Sequence, residues 1–168
     1  MAVPDDTTLY PILADLLACL CEEYTSNGVT LCYCGFEPAQ GVPIEVGECG
    51  DGECGAATVR LVRAYPSVNF PQPDQAGTCV TLLAAEVLVS VYRCVPAGHD
   101  DGSGPTAEEY SFWTQEQFAD MAAMKRAILC CFGKAHPDTD YVLASYDPLP
   151  AQGGLGGGSW RLLIRQEF

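Results

Sequence analysis

Cys32 and Cys34 stand two apart in the run CYC, and Cys49 and Cys54 flank the glycine-rich turn GECGDGECG. On a strand, residues two apart face the same side, so the first two sulfurs would point together. Four thiolates so placed could close a tetrahedral structural zinc site. The usual signature leaves two residues inside each cysteine pair; here one pair encloses one residue and the other four. The same cysteines could instead form one or two disulfides after release into an oxidising medium, or lie buried as small hydrophobes. Spacing alone leaves the three readings open.

The remaining reactive side chains make weaker patterns. Cys19 and Cys21 fall on opposite sides of a helix, and Cys130 and Cys131 are adjacent at a helix end, so neither pair can bond locally and core packing is expected for all four. A cysteine nucleophile needs a base, and the only histidines, His99 and His136, lie in polar connections without a nucleophile motif. DGSGP lacks the spacing of a hydrolase elbow. QGGLGGGS, Gln152 to Ser159, has no lysine and precedes a strand, so it matches neither a P-loop nor a dinucleotide-binding turn. Asp100-Asp101 and Asp138/Asp140 do not follow the EF-hand order and read as turns. The expectation is a non-enzyme without a cofactor, structural zinc being the one metal the cysteines could hold.

The bulk properties bound what these residues can serve. At 168 residues one α+β domain spanning 1–168 is expected, with a Cys/Gly-rich loop inserted at about 35–55. A hydrophobic content of 48% with 18% charged residues is globular rather than disordered. The net charge of -14 argues against a surface that wraps nucleic acid, which needs clustered Lys and Arg. No stretch approaches ~20 apolar residues, so no membrane partner is expected. The opening MAVPDDTTLYP lacks a signal-like apolar run, which points to folding in a cytosol, where disulfides are disfavoured.

Several elements must position these side chains. Leu9, Ile12, Leu13, Leu16, Leu17, Leu20 and Tyr24 share one helical face, with Thr7 or Thr8 as cap and Asn27-Gly28 as stop. Val29 to Cys34, Thr58 to Tyr65 and Val80 to Val95 read as strands, the last two separated by the proline-bearing excursion Pro66 to Gly77. Thr106 and Glu109 form a capping box that opens a long helix ending at Gly133, with Tyr110, Trp113, Met121, Met124, Ile128 and Phe132 as its buried stripe. Tyr141 to Tyr146 and Trp160 to Gln166 make a hairpin whose tip, Pro148 to Ser159, is expected to be long and flexible. Two helices packed on a mostly antiparallel sheet define the fold class. Arg60, Arg63, Arg93, Arg161 and Arg165 fall on the strands while acids crowd the loops and the second helix. A sheet surface segregated in this way is a candidate subunit interface, basic edge to acidic neighbour, as well as an ordinary solvated face.

The segments LLACLCEEY, CGAATVRLVRAYPSVNFPQPD, EVLVSVYRCVP, ADMAAMKRAILCC and GGLGGGSWRLLI together resemble a virion neck protein of long-tailed phages infecting actinobacteria. The resemblance covers most of the chain and is closest to a tail terminator. It implies a structural component of the virion neck, assembled in the host cytoplasm, whose copies form a hexameric ring. The implied partners are the tail tube protein below and the head-side connector or stopper above, with DNA passing through the lumen without sequence recognition. An acidic lumen would then help the DNA slide, and Pro148 to Ser159 and Pro66 to Gly77 would reach neighbouring rings. The alternatives are a stopper or adaptor of the same neck, and a cysteine-ligated zinc adaptor protein.

Overall fold

The computed structural model describes residues 6–38, 54–74 and 82–167. Along the chain it forms α1 (Leu9–Ser26), β1 (Tyr33–Phe36), β2 (Gly55–Pro66), β3 (Leu82–Cys94), α2 (Ala107–Arg126), a π-helical segment (Ala127–Phe132), α3 (Gly133–Ala135), β4 (Tyr141–Gln152) and β5 (Leu155–Glu167). The strands make one sheet in the order β1-β2-β3-β5-β4. β1 runs parallel to β2, and every other neighbouring pair is antiparallel. This is the expected α+β class. Most of the loop placed at about 35–55 and the end of the Pro66–Gly77 excursion lie outside the described residues.

Alternation along the strands sorts the core. Val59, Val87, Val89, Leu162 and Ile164 turn to one face and join Leu16 and Leu20 of α1, Met124 of α2 and Phe132 of the π segment in a single apolar cluster. The helices therefore cover this face of the sheet.

Local chemistry explains several departures from the pattern-based expectations. Thr8 stands at the N-cap position of α1, but its side chain makes no capping bond and Asp6 supplies the acceptor instead. The Asp6 carboxylate accepts from the Thr8 amide at 2.9 Å, the Thr8 hydroxyl at 2.7 Å and the Tyr10 amide at 2.7 Å. These bonds, the Thr8 amide first, lower its carboxyl to about 2. Val29 closes the end of α1 by donating its amide to the Tyr24 carbonyl, so the first strand begins only at Tyr33. Thr106 and Glu109 form the predicted capping box. Tyr110, however, is exposed, and the helical rod continues through a π segment to Ala135 instead of stopping at Gly133. A Cβ at Gly133 would collide with the Tyr141 hydroxyl, so glycine serves packing there.

The expected flexible tip from Pro148 to Ser159 is strand on both sides of a two-residue turn. Gly153 and Gly154 make that turn with φ of 60° and 82°, a backbone that glycine adopts at little cost. Gly156, Gly157 and Gly158 are buried inside β5. An added Cβ would meet Trp113 at the first, the Val91 backbone at the second and the Tyr146 ring at the third. The glycine run thus lets large neighbours close in on a strand.

Candidate functional site

The cysteines resolve first. Cys34 of β1 bonds Cys21 of α1, Cys54 before β2 bonds Cys94 at the end of β3, and Cys19 of α1 bonds Cys131 of the π segment. Their Cα separations of 5.7, 5.9 and 5.6 Å (Cys19–Cys131, Cys21–Cys34, Cys54–Cys94) sit inside the range a disulfide tolerates. The four-cysteine zinc arrangement is therefore corrected: Cys34 and Cys54 are each bonded to a cysteine outside the quartet. Cys32 is disulfide-bonded as well, and Cys49 lies outside the described residues. No group of three or more His, Cys, Asp or Glu among the described residues is placed to hold a metal. Cys19, Cys21 and Cys131 are also more than core filling. Helical geometry forbids bonds within each local pair, yet each of these sulfurs meets a partner on a different element. Among the described residues Cys130 alone has a free thiol, and it is exposed.

The five strand arginines do not stand as free positive charges. Arg60 reaches Glu37 at 2.7 Å, Arg63 reaches Glu86 at 2.6 Å, and Arg161 bonds the other oxygen of Glu86. Arg165 holds Asp140 at 2.9 Å. These four lie on the sheet face opposite the apolar cluster, by strand alternation. Glu86 on β3 thereby bridges β2 and β5, with its side chain 3% exposed. Glu37 also accepts from Thr58 and from the Tyr92 hydroxyl, which burial first and the Glu37 charge next push above the ordinary phenol range. As candidate interface residues these arginines therefore already carry intrachain carboxylate partners.

Arg93, the fifth, turns toward the helices. Its guanidinium donates twice to Asp120 of α2, at 2.8 and 2.9 Å, and lies over the Tyr24 ring of α1. Tyr24 donates its hydroxyl to the same carboxylate at 3.1 Å. Burial and the neighbouring Asp120 raise the Tyr24 phenol well above its usual value, while hydrogen bonding to Asp120 keeps Arg93 protonated. This buried triad locks α1, β3 and α2 together. The two histidines take carboxylate partners: His99 Nε2 lies 3.2 Å from Glu109 and His136 Nε2 lies 2.9 Å from Asp15. Asp101 accepts from the Ser103 amide and hydroxyl, as a turn residue should.

The surface feature that the sequence patterns missed is a cleft between the exit of β3 and the first turns of α2. Val95 and Pro96 form one wall, and Glu108, Phe112, Trp113 and Glu116 the other. A second hollow on the far side of the Cys54–Cys94 bond shares Cys94 and Glu116 and continues to Thr30 and Arg93. Phe112 is 63% exposed, and the indole nitrogen of Trp113 is buried without a hydrogen-bond partner among the described residues. Adjacent aromatics at 112 and 113 were the available signal, because a helix can turn only one of two neighbours fully to its core.

Fold and surface together define an α+β protein stapled by disulfides, with one apolar and one ion-paired sheet face and an acidic aromatic cleft beside its main helix. Among the described residues no helix is long and apolar enough to cross a membrane. Compared with known protein families and with curated proteins, the chain matches none.

Proposed function

We propose that this chain is a structural subunit of the phage neck, a tail terminator whose copies form a ring capping the tail tube and joining it to the head-side connector. The observation that carries this reading is the amount of apolar side chain that α2 and the π segment leave in water. Phe112 and Phe118 are each 63% exposed, Tyr110 44% and Leu129 39%. Apolar surface gathered along one element is what contact with another protein surface removes from water.

Three further points support it. The segment mosaic resembling neck proteins spans most of the chain. All six arginines bond carboxylates of their own chain, so the acidic excess behind the net charge of -14 is left to the remaining surface, where it would repel a passing DNA backbone. Disulfides persist outside a reducing cytosol, which fits a particle that completes its life after release from the host.

The test is mass measurement and imaging of the purified chain, with imaging of intact particles that contain it. A closed ring of copies, found at the junction of tail tube and head connector, is the expected result. A ring on the head side of that junction would assign the chain to the stopper layer. A lone subunit at every concentration, missing from assembled particles, would end the neck reading.

A further inference from the structure

We infer that copies of this chain join head to tail, the basic far end of the α2 rod in one copy docking in the acidic aromatic cleft at the near end of α2 in the next. The inference rests on the ring reading above and names the contact that builds it.

The argument begins with the cations. The sequence has 8 Lys and Arg residues. Arg60, Arg63, Arg93, Arg126, Arg161 and Arg165 are all ion-paired within the chain. Lys125 and Lys134 make no ion pair among the described residues and are exposed. Lys125 sits in the last turn of α2 and Lys134 at the C-terminal end of the rod formed by α2, the π segment and α3. The nearby carboxylates Glu23 and Asp15 are already engaged by Arg126 and His136. Lys125 also shares an outward face with Phe118 and Leu129, at spacings of seven and four residues. The far half of the rod therefore carries two lysines without ion pairs among the described residues, with Leu129 beside them and Phe118 near the middle of the rod on the Lys125 face.

The near end is its complement. Glu108 and Glu116 make no ion pair among the described residues, and they border the cleft formed by Phe112, Trp113, Val95 and Pro96. Apolar contact removes exposed aromatic surface from water, and opposite charges set the orientation and suppress wrong partners.

One chain cannot bring these patches together. Phe112 and Lys125 lie thirteen residues apart on a rigid rod, roughly 20 Å at 1.5 Å per residue. A two-fold contact fails as well, because it would use a single common face. At 3.6 residues per turn Phe112 and Phe118 point about 120° apart around the helix. Patches on different faces and opposite ends pair only by repetition in one direction, a heterologous contact that closes into a ring if the rotation allows.

The experiment reverses the charges. Lys125→Glu with Lys134→Glu makes both patches acidic; Glu108→Lys with Glu116→Lys makes both basic. Lys125, Lys134 and Glu108 are exposed, whereas Glu116 is half-buried and acts on Arg93, so melting of each variant is measured beside the wild type and Glu108→Lys alone serves as the basic-cleft variant that leaves the triad untouched. Sedimentation across a concentration series should show that each variant alone associates at least about tenfold more weakly. An equimolar mixture of the two double variants should recover assembly, because every contact then pairs opposite charges, and the fourfold variant should recover it alone. If wild type and all variants assemble alike, this contact is overturned and the ring reading stands on another interface. If wild type never associates, both are overturned.

Discussion

On the helix-covered face of the sheet, Val59, Val87, Val89, Leu162 and Ile164 lose all contact with water against α1, α2 and the π segment. The same strands turn Thr58, Glu86 and Ser90 the other way, exposed by 2% or less, among carboxylate and guanidinium groups. The first face stabilises the fold in proportion to the apolar area it removes from water, about 25 cal/mol per Å². On the second, Coulomb attraction is largely offset by desolvation, and what is gained is register: Glu86 is satisfied only when β2, β3 and β5 are aligned. The difference teaches that equal burial need not mean equal stabilisation.

Breaking the staple of the helical layer should have the largest effect. The Cys19–Cys131 bond closes a separation of 112 residues and Cys21–Cys34 one of 13, so chain-entropy loss in the unfolded state assigns them about 5 and about 3 kcal/mol. Urea unfolding of Cys19→Ser and Cys21→Ser should reproduce that order, and equal losses would contradict it. Next comes Phe132→Ala, which empties a fully buried site and should cost about 3–5 kcal/mol by the same measurement. Glu86→Ala should cost less, about 1–3 kcal/mol, since Arg63 and Arg161 are 64% and 40% exposed and regain water once unpaired. A larger loss from Glu86→Ala than from Phe132→Ala would invert the ranking of the two faces.

Two pH responses sharpen the comparison further. Tyr24 under the helices and Tyr92 on the ion-paired face both have phenols raised above the unfolded value of 10.0. Their contribution is complete below pH 10 and is lost as the pH rises above it, where the unfolded chain releases protons the folded chain retains. Ultraviolet titration should find these two ionising last, together with unfolding. The smallest effect belongs to Asp6. Its carboxyl falls from 3.8 to about 2 on folding, so its contribution is present above 3.8 and fades as the pH drops through 2. Carboxyl NMR should follow that midpoint, and an unshifted titration would remove Asp6 as the capping acceptor.

Much of the fold was legible residue by residue. The α1 face, the Thr106–Glu109 box and the valines of β3 are local periodicities that survive folding because helix and strand geometry is repetitive. The glycine run was misread because glycine signals a turn and a crowded strand equally well, and only the ring of Tyr146 and the backbone at Val91 decide between them. The partners of the strand arginines were not legible, because a sequence does not show which carboxylate will lie opposite. The cleft beside α2 was legible only as the aromatic pair Phe112-Trp113, since its other wall, Val95 and Pro96, comes from the chain just after β3.

Composition and periodicity by themselves determined an acidic α+β chain with two helices on a mostly antiparallel sheet, because those properties depend on neighbours within a few residues. Only the tertiary structure decided which cysteines bond, which charges cancel and where aromatic surface remains in water. Each of those outcomes is a distance between residues far apart along the chain, such as Cys19 and Cys131 or Arg93 and Asp120, and no local spacing rule contains it.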